Sequence, residues 1–394
     1  MRVAISGAGI AGPTLAYWLQ RCGHQPTLIE KAPQLRTGGY VIDFWGVGYR
    51  IAERMGLGPQ LQTAGYDVRE VRLVDRHGRK VGGFGTEGFR RITDGRFTSL
   101  ARGDLAAMIY GAIADDVETI FGDGIVAIEQ DDSGVQVILQ NGASREFDLL
   151  IGAGGLHSPV RRLVFGPEAN FEHDLGYRVA AVEVDSYRPR DELTYVSYGL
   201  PGRMASRFAM RHDRTLFLLV FTKDRISGAE PCGPDEVKRV LHEVFSDAGW
   251  ECPRILQAMD DADGIYFDRV SQISMDNWSR GRVMLIGDAA GAVSLVAGEG
   301  TGLAMLEAYV LAGELHRADG DYREAFRRYQ QSLGPFIARK QRSARTFAAA
   351  FAPRTGRGIW ARNRLSRLLS LPYVGDWMIR AQLRDDFELP DYLE

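Results

Sequence analysis

Cysteine is scarce. Cys22, Cys232 and Cys252 are the only 3 in 394 residues, and no two form a C-x-x-C pair or a metal-ligand spacing. A disulfide framework and a cysteine-based zinc site are thereby excluded, and a reducing, cytoplasmic setting is expected. The 7 histidines contain no H-E-x-x-H or other paired-ligand pattern, so no metal site is expected either. No G-x-S-x-G nucleophile elbow and no P-loop occurs. Charge of one sign is not in excess: 48 Lys and Arg against 51 Asp and Glu leave a formal net charge of −3, which carries no nucleic-acid signature. The most apolar stretch, Val283 to Ala297, is interrupted by Asp288, and no uncharged run reaches the ~18 residues of a membrane span. The amino terminus has neither the basic region nor the cleavage site of a secretory signal. Fixed-period repeats and low-complexity tracts are also missing.

Glycine, by contrast, is abundant at 46 residues, in a chain that is 45% hydrophobic and 25% charged. That is ordinary globular material with an excess of places where backbone turns tightly or approaches a ligand. The length predicts roughly two to three domains.

The first thirty residues read as strand (Arg2–Ser6), glycine turn, helix (Ala11–Arg21) and strand (Thr27–Glu30), a βαβ unit. A second helix is predicted over Val47–Met55 and a hairpin over Glu70–Val81 about His77-Gly78. Short strands with turns at Asp123-Gly124, Ser133-Gly134 and Asn141-Gly142 fill Val117–Leu149. Beyond Gly176, the runs Tyr177–Val184, Leu193–Tyr198, Arg207–Arg211 and Leu216–Phe221 predict one open antiparallel sheet. Helices follow at Pro234–Ala248 and Pro253–Met259. A strand at Val283–Ile286 then enters a glycine-rich loop and a long helix, Gly302–His316, before a helical tail from Asp321.

Chemistry concentrates in glycine turns. Gly7-Ala8-Gly9-Ile10-Ala11-Gly12 closes the first strand and opens the first helix. Gly7 permits the turn, Gly9 lets backbone approach a pyrophosphate, and Gly12 lets helix and strand pack closely. The helix start favours phosphate charge. Glu30 ends the second strand, where a carboxylate accepts from ribose hydroxyls, with Lys31 beside it. Dinucleotide binding follows, but the turn alone does not separate FAD from NAD. Farther on, Gly287-Asp288 ends a strand, and Gly298-Glu299-Gly300-Thr301-Gly302 opens a long helix with unpaired N–H groups.

With Asp148–Arg161 (DLLIGAGGLHSPVR) and Gly281–Ala290 (GRVMLIGDAA), the amino-terminal fingerprint resembles the three hallmark segments of the single-component (class A) FAD monooxygenases, the p-hydroxybenzoate hydroxylase-like flavoproteins. Within that group, Ala297–Met305 and the helical tail are most similar to the tetracycline-inactivating monooxygenases. The resemblance covers nearly the whole chain. It implies an α/β fold with a Rossmann-type FAD-binding domain (1–68, 98–176 and 268–334) interleaved with an antiparallel-sheet substrate domain (69–97 and 177–267). Carboxy-terminal helices (335–394) bridge the two. It implies non-covalent FAD held by Gly7, Gly9, Ile10, Ala11, Gly12, Glu30 and Lys31, by Arg36, Gly38 and Gly39, and by Arg102. Gly152, Ala153 and Gly154 of the middle segment, and Gly287, Asp288, Gly298, Gly300, Thr301 and Gly302, complete the set.

The implied activity uses NADPH or NADH and O2 to oxygenate an electron-rich ring or enol through a C4a-hydroperoxyflavin. The expected substrate is an aromatic or polycyclic small molecule, tetracycline-like or polyketide. The partners implied are that substrate and O2, with no nucleic acid and no membrane, in a monomer or homodimer. Asp43 faces flavin or substrate. Tyr198, Phe208, Met210, Phe217 and Phe221, with Tyr195, alternate along the predicted sheet as pocket candidates. No side chain is singled out as catalytic, since the cofactor does the hard chemistry. Gly154, Gly291 and Leu295 depart from the family's usual Asp, His and Pro. A halogenase reading lacks its W-x-W-x-I-P segment. A flavin dehydrogenase or reductase, and a ligand-sequestering flavoprotein, share the nucleotide motifs. Finally, Phe347, Phe351, Ile359, Trp360, Leu365, Leu368 and Leu369 predict an apolar stripe on the tail, with the helix near Pro353–Leu371 flanking a wide cleft.

Overall fold

The computed structural model describes residues 1–35, 40–262, 264–294, 298–370 and 387–392, the side chains at 346–350 and 370 excepted. The expected Arg36, Gly38, Gly39 and Leu295 therefore lie outside the described residues. The β-branched opening run forms β1 (Arg2–Ser6), buried from Val3 to Ser6; α1 (Ala11–Arg21) and β2 (Gln25–Glu30) follow. β1 is central in a six-stranded sheet. It pairs in parallel with β2 and with β11 (Leu149–Gly152), so that Ser6 stands level with both Ile29 and Gly152. β7 (Glu118–Phe121) lies outside β2. β18 (Val283–Leu285) lies outside β11, and β17 (Ser279–Arg280) pairs antiparallel at that edge. The three glycine segments follow β1, β11 and β18, which are neighbours, so all three turns emerge at one end of the sheet.

A short antiparallel pair, β3 (Val41–Trp45) and β6 (Phe97–Ala101), sets Asp43 opposite Ser99. β8 (Ile125–Gln130), β9 (Val135–Leu139) and β10 (Ser144–Phe147) form a small meander at the predicted turns. Helices α2 (Gly46–Arg54), α3 (Gly58–Ala64), α4 (Glu87–Ile92), α5 (Arg102–Gly111) and α6 (Pro159–Val164) are short. The one-turn α9 (Asp288–Gly291) and the longer α10 (Gly300–Arg317) follow β18. α10 packs on α1, where Trp18 meets Tyr309 edge to face at 4.9 Å.

The second large sheet has seven strands, in the order β16 (Tyr266–Ile273), β12 (Glu172–Asp185), β15 (Arg214–Thr222), β14 (Arg203–Ala209), β13 (Thr194–Leu200), β4 (Glu70–Val74) and β5 (Lys80–Gly85). It is mixed rather than antiparallel, because β4 runs parallel to β13. The β4–β5 hairpin enters from an earlier part of the chain, so no tight turn fixes its direction against β13. β14 also begins earlier than expected. Its Arg203, Ser206 and Arg207 are buried, which hides the strand from a hydrophobicity pattern. Arg207 is held by Asp191 at 2.5 Å and Glu251 at 2.9 Å. β12 starts before the expected boundary at 176, and β16 crosses the one at 267.

One face of this sheet packs on α7 (Pro234–Phe245) and α8 (Cys252–Asp260). The carboxy-terminal helices run from the first sheet to the other face of the second. In α11 (Tyr322–Phe351), Tyr329 lies against α10 and Phe351 packs with Val179, Met204 and Val220. α12 (Gly356–Ser366) is started by Thr355, which accepts from Gly358 N–H, and then crosses β5 and β13. It docks through its polar side, not the predicted stripe. Ser366 accepts from Gly83 N–H, Arg367 just beyond it donates to Val81 O, and a Cβ on Gly82 would come 2.7 Å from Asn363 O. Trp360 and Leu365 face outward, 63% and 55% exposed. Residues 387–392 return to the first unit, where Tyr392 donates to Glu314 at 2.8 Å.

Candidate functional site

The first turn is shaped by contact. Gly7 has φ +115°, and a Cβ there would strike Ala153 O at 2.6 Å. A Cβ on Gly12 would come 1.9 Å from Gly7 O, so helix and strand touch through bare backbone. Ile10 and Ala11 are buried beneath the loop. No side chain caps α1, which leaves its first N–H groups to an incoming anion. Glu30 accepts from Ala8 N–H at 2.8 Å and Ala32 N–H at 2.9 Å, fixing the loop against the end of β2. Lys31 is exposed on the same shoulder. Arg102 begins α5, and its Nη2 would stand 3.7 Å from a Cβ on Gly9. The guanidinium thus faces the glycine loop and makes no side-chain hydrogen bond among the described residues.

The middle segment lies alongside, with Ala153 N–H donating to Ser6 O at 2.8 Å. Gly152 is tightly enclosed, since a Cβ would come 2.6 Å from Leu285. Gly154 is exposed, and a Cβ there would press on Pro159 at 3.0 Å. Arg161 was not singled out from sequence. It is fully buried and donates to Ala289 O at 3.1 Å, Leu156 O at 2.5 Å and Glu168 at 2.8 Å. His157 sits between Glu168 (3.0 Å) and Asp268 (3.2 Å). The Asp268 hydrogen bond, more than any other contact, pushes its pKa up to about 9.

In the third segment Gly287 takes φ +62° and gives its N–H to Glu307 at 2.6 Å. Glu307 also accepts from Tyr329 at 2.9 Å, and burial pushes its carboxyl up to about 7. Asp288 follows. It is exposed, and its carboxylate has no hydrogen-bond partner among the described residues. Desolvation raises its pKa, opposed by Arg102 and then Arg161, with Asp268 adding to the rise. A Cβ on Gly300 would lie 3.6 Å from Asp288 Oδ1, which places the carboxylate at the start of α10. No side chain caps that helix, and Thr301 and Gly302 are half-buried. Gly298 is exposed. Gly302 presses on α2, a Cβ on Gly48 falling 2.5 Å from its Cα. The missing family histidine has a packing reason: a Cβ on Gly291 would meet Ile337 of α11 at 2.9 Å.

The expected pocket residues separate by face. Tyr198, Phe217 and Phe221 point to α7 and α8 and are core. Strand alternation puts Phe208 and Met210 on the opposite face, but both are buried with Tyr66 and Val68. Half-buried side chains on that face include Tyr195, Leu218 and Tyr266, and Tyr40 lies 5.8 Å from Tyr266, ring to ring. Asp43 is half-buried and accepts from Ser99 at 2.5 Å.

The site fits an extended flavin dinucleotide by its own features. The glycine loop faces the Arg102 guanidinium, and an unpaired carboxylate stands beside an uncapped helix start. The fold and the site define a class, and the chain belongs to it: residues 1–321 match the FAD binding domain family. Among its relatives, uncharacterized protein Rv1260 of Mycobacterium tuberculosis (strain ATCC 25618 / H37Rv) is 39% identical over 350 residues, covering 86% of this chain and 91% of that protein. A flavin-dependent monooxygenase from an unknown prokaryotic organism is 35% identical over 343 residues, 86% and 87% of the two chains. Among solved structures, the tetracycline destructase Tet(51) superposes with a TM-score of 0.84 at 30% identity, covering 99% of each chain.

Proposed function

We propose that this chain is a FAD-dependent monooxygenase that takes electrons from NADPH or NADH and oxygenates a polycyclic, phenolic or enolic small molecule. The observation that carries the reading is Asp288, an exposed carboxylate without a hydrogen-bond partner among the described residues, standing between the Gly7–Gly12 loop and the start of α10. A ligand hydroxyl that reaches this carboxylate would gain a charge-assisted hydrogen bond. Gly7, Gly9 and Gly12, with the start of α1 and Arg102, would hold the pyrophosphate. Glu30 would hold the adenosine ribose and Asp288 the ribityl chain. The N–H groups of Gly300, Thr301 and Gly302 would stabilise the negative charge of a reduced flavin ring. FAD, when bound, supplies hydride acceptance and oxygen activation.

The protein's own work is to place the substrate and keep water from the flavin. The division of labour is read as a nucleotide unit around the six-stranded sheet, a substrate unit around the seven-stranded sheet, and the bridging helices α11 and α12. Likeness to a tetracycline destructase over 99% of the chain supports a fused-ring substrate. The test is anaerobic reduction of the FAD-loaded protein by NADPH, followed by O2 in the presence of tetracycline and related polycyclic phenols. Substrate-accelerated NADPH oxidation with a one-oxygen mass gain supports the reading. Hydride transfer without oxygen gain, or no turnover with any polycycle, refutes it.

A further inference from the structure

Between Glu324 and Asp376 the chain carries 11 arginines and lysines and no acidic residue. The whole-chain balance of −3 hides this local excess. Part of the charge is absorbed by the fold. Lys340 pairs with Glu299 at 3.0 Å, Arg345 donates to Gln272 at 2.8 Å, and Arg362 donates to Phe351 O and to Asn363. On the outer side of α12 the charge is not absorbed. Arg357, Trp360 and Arg364 are spaced i, i+3 and i+7 and so share one face of the helix, with Leu365 beside them. Asn363 and Ser366 hold the opposite face to the sheet. Arg357, Trp360, Arg364 and Leu365 are all exposed. Of the four large apolar side chains exposed among the described residues, Trp360 and Leu365 are two, and the others, Val126 and Leu163, lie apart on β8 and α6. Arg364 lies over the Trp360 ring at 5.3 Å, and neither Arg357 nor Arg364 has an ion pair among the described residues. Arg357 also sits in the first turn of α12, which has no acidic residue and where the helix start disfavours a cation. Arg354 and Arg367, both exposed, extend the basic face at its two ends.

We propose that the outer face of α12 docks on an anionic lipid bilayer, with Arg357 and Arg364 at the headgroup phosphates and Trp360 and Leu365 entering the interface. Charge complementarity selects this partner. A second copy of the chain would set the same arginines against one another across a two-fold axis. A nucleic acid offers phosphates but no apolar phase for Leu365, and it meets a chain of negative net charge. An anionic bilayer supplies both halves: phosphates that attract clustered arginines, and an interfacial layer that favours tryptophan and buries leucine. An anion would also relieve the cation at the helix start. Because attraction is screened within about 8 Å at physiological salt, the face must touch the headgroups. No described helix is long and apolar enough to cross a bilayer, so the contact is peripheral, and it revises the expectation of no membrane. Since α12 crosses β5 and β13, docking sets the seven-stranded sheet beside a phase in which a polycyclic substrate dissolves. That consequence alone rests on the monooxygenase reading.

The test is co-sedimentation of the FAD-loaded full chain with phosphatidylcholine vesicles, with and without one quarter phosphatidylglycerol. The protein should sediment with the anionic vesicles, stay behind with the neutral ones, and be released by high salt. Its tryptophan emission should shift to the blue on the anionic vesicles, and the shift should be absent in Trp360→Phe. Arg357→Glu with Arg364→Glu should weaken vesicle binding about tenfold or more, while Arg357→Lys with Arg364→Lys retains it. Melting temperature and FAD content confirm that each variant folds. No sedimentation, equal binding to neutral vesicles, or equal binding by the double Glu variant overturns the proposal. So does a DNA duplex that binds with the same arginine dependence and displaces the vesicles, which would make the face a general polyanion site. A dimer that the double Glu variant disperses overturns it as well. Vesicle binding without oxygen insertion would count against the monooxygenase reading alone.

Discussion

Arg161 donates to the carbonyl of Ala289 at 3.1 Å, fastening the middle glycine segment to the Gly287-Asp288 turn through a guanidinium with no solvent exposure. Two of the three glycine segments are thus one mechanical unit. Arg161→Met would leave the Ala289 and Leu156 carbonyls without their side-chain donor and strip Glu168 of its buried partner, His157 remaining. A cost of about 3 kcal/mol is expected from breaking such a buried charged network, read as a lower urea midpoint, with weakened FAD binding. A variant with unchanged midpoint and unchanged FAD affinity would show the fastening to be idle.

Asp288 should matter to FAD more than to folding. A charge-assisted hydrogen bond is worth about 1.5–3 kcal/mol, so Asp288→Ala should weaken FAD binding roughly 10- to 150-fold. The apo protein should melt no lower than wild type, because the exposed carboxylate has no partner to lose among the described residues. Fluorescence titration of FAD and thermal melts of both apo proteins check this. Equal affinity with a lower apo melting temperature would assign Asp288 to the fold instead.

Glu307 sets a pH dependence. Its carboxyl is raised from an ordinary 4.5 to about 7, chiefly by burial. Between those values the folded chain keeps a proton that the unfolded chain has released, so stability is full below 4.5 and falls as pH rises to about 7. Across that window the loss amounts to about 3 kcal/mol. Glu307→Gln still accepts from Gly287 N–H and Tyr329 but does not titrate. Its melting temperature should vary less between pH 4.5 and 7, and at pH 8 it should match or exceed wild type. Parallel pH–stability curves would contradict the assignment.

The bridge of α12 is tested at Gly82. A larger side chain there meets Asn363 O, a backbone atom that a Cβ alone approaches to 2.7 Å. Gly82→Leu should lift α12 from the sheet, raise the KM for a polycyclic substrate and increase uncoupled peroxide release, because water then reaches the flavin. FAD should stay bound. Truncation after Ala352 is a poorer probe, since it also removes Tyr392, which packs on Gly313 and donates to Glu314 in the nucleotide unit. Unchanged KM and coupling in Gly82→Leu would make α12 a bystander.

The glycine turns were legible from the chain because a nucleotide constrains residue type and spacing together: Gly7, Gly9, Gly12, Glu30 and Asp288 can be placed without coordinates. The buried polar groups behind them were not. Arg161, Glu307 and Asp268 look like surface charges in a string of letters, and only the fold encloses them. The sheet was legible as strands but not by face. Tyr198, Phe217 and Phe221 alternate like pocket residues, yet α7 and α8 cover that side. β14 escaped its boundaries because its inward residues include Arg203, Ser206 and Arg207, whose burial depends on distant partners such as Asp247 and Glu251. The tail misled for a related reason: α12 docks through Asn363 and Ser366 on glycines, and its Trp360 is exposed.

Oxygen insertion is the central claim, and isotope labelling tests it most directly. The FAD-loaded protein, NADPH and tetracycline are incubated under 18O2, and the product is weighed by mass spectrometry. The account predicts a product carrying one 18O atom per NADPH consumed, with the second oxygen atom recovered in water. A product without label, or NADPH consumption matched only by hydrogen peroxide, would contradict it.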